Sequence, residues 1–303
     1  MELRKAEHLT SGGYPINTAP DKFGPLLDST NLLNDIESLR ARFEKEGYIF
    51  LPGYLDPKAI MQGRMDIARK LSEEGCLDQN SPVCEMVARH GLEMCFRADI
   101  AMKTQSVLNV IYSKQVMTFY DRLLGGPATH YDYTWMRAVA PGKGTQPHCD
   151  IVYMGRGTPN VCTAWIPFGD ISLEMGGLII LEGSHKVETL KSTYGTLDVD
   201  TACSGTEGNQ LQAHGFLSGG AISKNPIELQ AELTGKWLTS EFKMGDFLTF
   251  NMFLVHASLD NNSNAIRLST DSRYQLASEP IDERWIGESP PSHGGAMVRN
   301  TIC

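Results

Sequence analysis

The chain has 303 residues, 41% of them apolar, enough to bury one large core, and a single domain over residues 1–303 is the expectation for that length. A formal charge of −9 at pH 7 argues against a polyanion such as nucleic acid as the main partner, because the long-range field repels it, and leaves a small molecule as the expected partner. No apolar run reaches the roughly 18 residues that a bilayer span needs, Met1 to Asn17 alternate charge with Gly and Pro, and the seven cysteines contain no C-x-x-C pair, so a soluble, cytoplasmic protein with reduced thiols and no membrane partner is expected.

Residues 1–30 read as a polar N-terminal extension. Asp28, Ser29 and Thr30 then offer N-cap oxygens to a segment in which Leu32, Ile36, Leu39 and Phe43 fall at helical spacing, which predicts an amphipathic helix ending at Gly47. Tyr48-Ile49-Phe50-Leu51 reads as a short buried strand closed by Pro52-Gly53. Asp56 followed by Pro57 opens a second helix, with Met61, Met65, Ala68 and Leu71 inward and Gly75 closing it. One further helix is predicted over residues 107–124, because Val107, Ile111, Val116, Phe119 and Leu123 keep the spacing up to Gly125-Gly126.

From His130 onward the pattern changes to short β-rich runs punctuated by Gly, Pro and Asn, at residues 131–139, 148–154, 161–168, 177–181, 247–251 and 266–277. Helices first and many short strands after them predict an α+β chain built on a β-sandwich or barrel. Residues 187–235 are irregular and partly Gly-rich, which marks a lid or insertion loop, and a helical segment over residues 76–102 is the other lid candidate.

In Gln146-Pro147-His148-Cys149-Asp150, a strand would put the imidazole and the carboxylate on one face, where both reach one ion, and would turn Cys149 away from it. Taken alone, H-x-D is a weak signal that a hydrogen-bonded structural pair also explains. A second strand, Gly245 to Phe250, leads into His256, and Arg267 follows eleven positions later. Two histidines and a carboxylate on one side of a metal form the facial triad of Fe(II) oxygenases. Three protein ligands leave three positions on an octahedral iron, two for a chelating 2-oxo acid and one for O2. A planar, permanently charged guanidinium suits the far carboxylate of that acid, and Ser269, two residues beyond Arg267 on the same strand face, adds a hydroxyl. Without partners Arg267 would read as a surface arginine in a weak ion pair.

With these residues in view the chain resembles the phytanoyl-CoA dioxygenase family of Fe(II)/2-oxoglutarate-dependent oxygenases, from about Leu39 to Gln275. Phe43-Glu44-Lys45-Glu46-Gly47 running into Tyr48 to Gly53, the Gln146 to Asp150 metal strand, Thr163-Ala164-Trp165-Ile166, Gly176-Gly177-Leu178 into Glu182-Gly183-Ser184-His185-Lys186, and Gly245-Asp246 to His256-Ala257-Ser258 match in order.

The resemblance implies a double-stranded β-helix, a cupin-like jelly roll with N-terminal helices packed on it. It also implies Fe(II) on His148, Asp150 and His256, with 2-oxoglutarate and O2 as cosubstrates and Arg267 as the carboxylate clamp. Trp165 matches a tryptophan of the cosubstrate pocket, although an aromatic packed in the barrel explains it equally well. Arg137 is a candidate second anion contact. His185 belongs to a structural turn, and His130 and His214 read as ordinary polar residues. Because related halogenases have a small residue in place of Asp150, its presence favours hydroxylation of a small or medium-sized metabolite, with release of succinate and CO2. The competing reading is a cupin-like metal-binding protein or metal-dependent isomerase without O2 chemistry, in which Arg267 and Ser269 would have no carboxylate to hold. The negative net charge disfavours a large polyanionic substrate, unless a local basic patch around Arg97 or Arg273 overrules it.

Overall fold

The structure, a computed structural model, describes residues 8–204, 215–217 and 219–293, with residues 202–204 described by backbone alone. The described strands are β1 (Thr10–Ser11), β2 (Tyr14–Pro15), β3 (Phe23–Pro25), β4 (Tyr48–Leu51), β5 (Ala128–His130), β6 (Trp135–Val139), β7 (Cys162–Pro167), β8 (Leu178–Leu181), β9 (Trp237–Thr239), β10 (Phe247–Asn251), β11 (His256–Ser258) and β12 (Arg267–Leu276). The helices are α1 (Ile36–Glu46), α2 (Pro57–Glu73), α3 (Ala98–Ala101), α4 (Gln105–Ile111), α5 (Lys114–Leu124), α6 (Ile151–Met154), α7 (Glu188–Ser192), α8 (Val199–Ser204) and α9 (Pro226–Leu233). No helix among them is long and apolar enough to cross a membrane.

One sheet runs β4-β10-β7-β12-β5, with β6 also paired to β12, and a second runs β11-β8-β9-β3. The period-two alternation of the strands divides the large sheet between two cores. Ile49, Leu51, Ala164, Ile166, Phe247, Leu268 and Tyr274 face the helices and cluster with Ile60, Ile67, Leu71, Val107, Ile111, Val116 and Phe119. Tyr48, Phe50, Trp165, Leu248 and Phe250 face the other way and pack on Leu178, Ile180 and Leu238 of the second sheet. The result is the expected α+β architecture, two facing sheets of a jelly roll with the N-terminal helices laid against the outside.

The inner row of β12 breaks this apolar rule. Arg267, Ser269, Asp271, Arg273 and Gln275 alternate with the residues that face the helices, and all five are buried. Such a row costs free energy unless each group meets a partner. It therefore marks the part of the barrel that holds polar chemistry.

Local chemistry moves several predicted boundaries. α1 starts at Ile36, not near Leu32, because Asp35 accepts from the Ser38 amide at 3.1 Å and from Ser38 Oγ at 2.7 Å. Asp28 instead accepts from the Thr30 amide at the head of a single 3-10 turn. α2 buries Ile60, Gly63, Ile67, Ala68 and Leu71, whereas Met61 is 43% exposed. The inward stripe runs through Ile60, Gly63, Ile67 and Leu71, one position round the helix from Met61, and each aliphatic side chain fully buried there contributes about 1.5–3 kcal/mol. The predicted helix over residues 107–124 is two helices, interrupted where Ser113 accepts from the Val116 amide and caps α5.

Residues 148–154 are not a strand. His148 makes one bridge to His256, Asp150 already has helical backbone (φ −67°, ψ −22°), and α6 follows. Residues 76–102 are mostly irregular, with a 3-10 turn at Val83–Glu85 and the short α3. The described parts of residues 187–235 carry α7, α8 and α9, and Leu190, Tyr194, Val199 and Leu229 are buried against the second sheet. At the N-terminus, Asp260 accepts from the amides of Gly12, Gly13 and Gly144 at 2.7–2.9 Å, tying the β1–β2 ribbon and the loop that leads to His148 to the end of β11.

Candidate active site

His148 and His256 exchange both backbone hydrogen bonds, at 3.0 and 2.9 Å, which brings their rings to 4.2 Å between centroids. The turn after His148 carries Asp150 back beneath them. Asp150 Oδ1 lies 3.9 Å from His148 Nε2 and 3.7 Å from His256 Nε2, and ligand atoms of the three residues all fall within 4.8 Å of one another. The sequence places these residues together for the wrong reason: a tight turn, not strand alternation, makes them converge. Cys149 is buried and directed elsewhere, its thiol donating to Phe253 O at 3.2 Å, and burial pushes that thiol well up.

The tautomers follow from the backbone. His148 Nδ1 is 2.8 Å from Gln146 O and His256 Nδ1 is 3.0 Å from Leu254 O. A carbonyl only accepts, so both Nδ1 atoms carry the proton and both Nε2 lone pairs face the cluster. Burial pushes His148 down to about 3, with the neighbouring His256 adding to it, and burial also lowers His256. Neutral imidazoles are the state a metal requires. Burial alone would raise Asp150, but Arg273 and then the two imidazoles hold it well below the usual carboxylate range. Its outer oxygen, Oδ2, is 3.1 Å from Arg273 Nη2 and accepts from Thr163 Oγ1 at 2.5 Å. Two imidazole nitrogens and one carboxylate oxygen, buried and preset, are a donor set suited to a divalent transition metal.

Beside the cluster a narrow slot is lined by Arg137, Thr145, Trp165, Leu178 and Arg267 together with both histidines. Arg267 is 1% exposed and donates through Nη1 to Ser269 Oγ at 3.1 Å, yet its Nε has no partner and no carboxylate among the described residues pairs with it. Burial pushes it down to about 10, and the charge of Arg137 contributes. A buried guanidinium left without a counter-ion is a candidate anion receptor, and Arg267 lines the same slot as both histidines. Arg137 is placed at the same slot but is not a free contact: its Nε is 2.5 Å from Asp271 Oδ2, Nη1 reaches Thr145 Oγ1 at 3.2 Å, and its guanidinium lies over the Phe96 ring. Trp165 forms a wall, packed on Phe242, with Nε1 unpartnered among the described residues.

On the outer side His148 forms part of a cavity of about 270 Å³ whose walls include Phe96, Gln146, Tyr153, Gly219 and Ala221. Phe96 separates it from a second cavity of about 380 Å³, walled by Tyr133, Trp135, Met102 and His293. Both lid candidates therefore contribute here, Phe96 and Met102 from residues 76–102 and Gly219 and Ala221 from residues 187–235. Among the described residues neither Arg97 nor Arg273 forms a basic patch. Arg97 is spent on Glu74 and Asp99, and Arg273 is buried on Asp150. His130 stacks on Tyr112, His185 packs against Gly47 and reaches Glu44 O, and His214 lies outside the described residues. Sequence reasoning missed Thr163, Arg273, Phe96 and Tyr153. The even spacing of Arg273 from Arg267 on one strand was the available signal for the second of these.

Residues 43–269 match the phytanoyl-CoA dioxygenase (PhyH) family. The 1-deoxypentalenic acid 11-beta-hydroxylase of Streptomyces exfoliatus is 26% identical over 273 residues, covering 85% of this chain and 87% of that protein. Its counterpart from Streptomyces arenae is 27% identical over 278 residues with the same coverage. Among solved structures, EctD from S. alaskensis with bound Fe superposes with a TM-score of 0.58 at 15% identity, covering 96% of this chain and 89% of that one. The 2-oxoglutarate-dependent carbocyclase SnoK from nogalamycin biosynthesis gives 0.58 at 16% identity, covering 84% and 90%. These structural likenesses carry the fold.

Proposed function

We propose that this chain, which belongs to the phytanoyl-CoA dioxygenase family and is a non-haem Fe(II)/2-oxoglutarate-dependent oxygenase, hydroxylates a compact, carbon-rich metabolite. In this reading His148, Asp150 and His256 hold the iron, Arg267 with Ser269 clamps the far carboxylate of 2-oxoglutarate, and Trp165 and Arg137 complete the slot. The observation that carries it is the buried Arg267 with no acid partner among the described residues, beside a preset two-histidine, one-carboxylate cluster. A metal-binding protein or isomerase that never meets a 2-oxo acid would carry the cost of that charge for nothing.

When bound, the iron supplies the oxidising power: with O2 it converts 2-oxoglutarate to succinate and CO2 and puts one oxygen atom into a substrate C–H bond. The chain's own residues set the conditions for this. The Nδ1 protons of both histidines stay on backbone carbonyls, which fixes the rings and keeps Nε2 available. Arg137, Arg267 and Arg273 surround the cluster and offset the charge of a carboxylate ligand and a dianionic cosubstrate. Phe96 and Tyr153 wall the cavity at His148 and limit water there.

Phe96, Met102, Tyr133 and Trp135 give the cavities apolar walls while Lys143 and Gln146 line the one at His148, which supports a mainly apolar substrate with a polar or charged anchor. The substrate named for the Streptomyces relatives, 1-deoxypentalenic acid, sets the scale of molecule to screen first. Described cysteines Cys76, Cys84, Cys95, Cys149 and Cys162 form no disulfide, which supports a cytoplasmic setting. The test is anaerobic reconstitution with Fe(II) and 2-oxoglutarate, read by the weak visible charge-transfer band of the chelate. Absence of the band, or its persistence in His148→Ala, overturns the reading. Succinate release against a panel of apolar metabolites then identifies the substrate.

A further inference from the structure

We infer that Arg273 and Thr163 are positioning residues that lock Asp150 as a one-oxygen metal ligand, an assignment that rests on the iron reading above. The two sit directly opposite each other on neighbouring strands β12 and β7, so both side chains leave the same sheet face. They converge on one atom, Asp150 Oδ2, at 3.1 Å from Arg273 Nη2 and 2.5 Å from Thr163 Oγ1. The other oxygen, Oδ1, is the one that faces His148 Nε2 and His256 Nε2.

Arg273 is itself held rigidly. Its Nε meets Met154 Sδ at 3.0 Å, its guanidinium lies 4.6 Å from the centre of the Trp135 ring, and it is 2% exposed. A guanidinium enclosed in this way has no freedom to follow a carboxylate that rotates. Asp150 swings out of its lock only by stranding a buried cation, and that cost pins its orientation.

The consequence is a matter of counting. A carboxylate free to turn can bind a metal through both oxygens and take a fourth position. Locked through Oδ2, Asp150 takes one, and the three protein ligands leave three positions for the cosubstrates. The backbone makes the lock necessary, since Asp150 sits on a tight turn at the start of α6 and its side chain makes no cap hydrogen bond there.

The test uses the full chain loaded with Co(II), which reports coordination by its ligand-field absorption without turnover. Arg273→Met and the near-isosteric Thr163→Val are compared with wild type for Co(II) affinity, for spectrum at saturating Co(II), and for 2-oxoglutarate affinity of the loaded protein. Outer-sphere partners of metal ligands typically govern affinity by ~10-fold to 100-fold. Arg273→Met is expected to weaken Co(II) at least ~10-fold, alter the spectrum, and weaken 2-oxoglutarate although Arg267 is untouched, with Thr163→Val showing the same changes more mildly. Arg273→Lys is expected to recover part of the loss, and with Thr163→Val it carries the test if Arg273→Met fails to fold. Variants that fold, bind both ligands within about twofold of wild type and keep its spectrum overturn the assignment, given the ~10-fold expectation. So does a lowered Tm with an unaltered spectrum. If wild type binds neither Co(II) nor 2-oxoglutarate, it is the iron reading that fails.

Discussion

Arg137 Nε lies 2.5 Å from Asp271 Oδ2, and this pairing leaves Arg267, on the same strand as Asp271, without an acid of its own. Of these two buried guanidiniums only Arg137 meets a carboxylate among the described residues, and the excess positive charge sits in the slot beside the metal cluster. A 2-oxoglutarate carboxylate would restore neutrality through two charge-assisted hydrogen bonds, together worth roughly 3 kcal/mol or more. Arg267→Gln is therefore expected to raise the 2-oxoglutarate Kd of the Mn(II)-loaded protein by at least about 100-fold. Isothermal titration checks it, and a Kd near that of wild type would remove Arg267 from the clamp.

The same residue should cost the ligand-free fold stability. A cation held at 1% exposure with no counter-ion among the described residues carries an uncompensated desolvation penalty, and burial already pushes its pKa down to about 10. Arg267→Met keeps the volume and removes the charge, so the cosubstrate-free protein is expected to gain about 1–3 kcal/mol in urea unfolding. Higher stability combined with lost 2-oxoglutarate binding is the signature of a site strained for function. A less stable Arg267→Met protein would mean that the guanidinium is structurally satisfied.

Acid should unfold the metal-free protein early, with a sign fixed by the two histidines. His148 falls to about 3 when folded and His256 also falls, so the unfolded chain binds more protons than the native one below the ordinary value of 6.5. Stability from these groups is complete above that value and declines as pH drops toward their folded values. Each contributes a slope of up to about 1.4 kcal/mol per pH unit. Asp150, also depressed, extends the loss through the carboxylate range. Urea midpoints from pH 7 to pH 4.5 should drop steeply for wild type and less steeply for His148→Gln. Parallel curves would place the acid sensitivity elsewhere.

Much of the architecture was legible because it depends on local repeats. β4, β7, β10 and β12 lie within a residue of the predicted runs, since each presents an apolar or alternating stretch to two cores. The site was legible by residue type and order, but its geometry was not. His148 and Asp150 look like same-face strand neighbours, and only the fold reveals the turn that brings them together and the Thr163–Arg273 pair that braces it. Arg273 reads as a surface charge because nothing local says that its partner lies more than a hundred residues earlier. The break at Ser113 was equally hidden, as a single serine cap of about 1 kcal/mol overrides an otherwise continuous helical stripe.

Trp165 separates packing from binding. Its ring is fully buried against Phe242, at 4.5 Å between centroids, which a purely structural tryptophan would also show. Its Nε1, however, is buried without a partner in the slot that holds Arg267. An unmet buried donor costs about 1–3 kcal/mol, so Trp165→Phe trades some lost packing for the removal of that penalty. The ligand-free Tm is therefore expected to move little. If the indole proton meets the cosubstrate, the same change should raise the 2-oxoglutarate Kd at least about 10-fold, the worth of one hydrogen bond to a charged oxygen. A lowered Tm with unchanged 2-oxoglutarate affinity would assign Trp165 to the core alone.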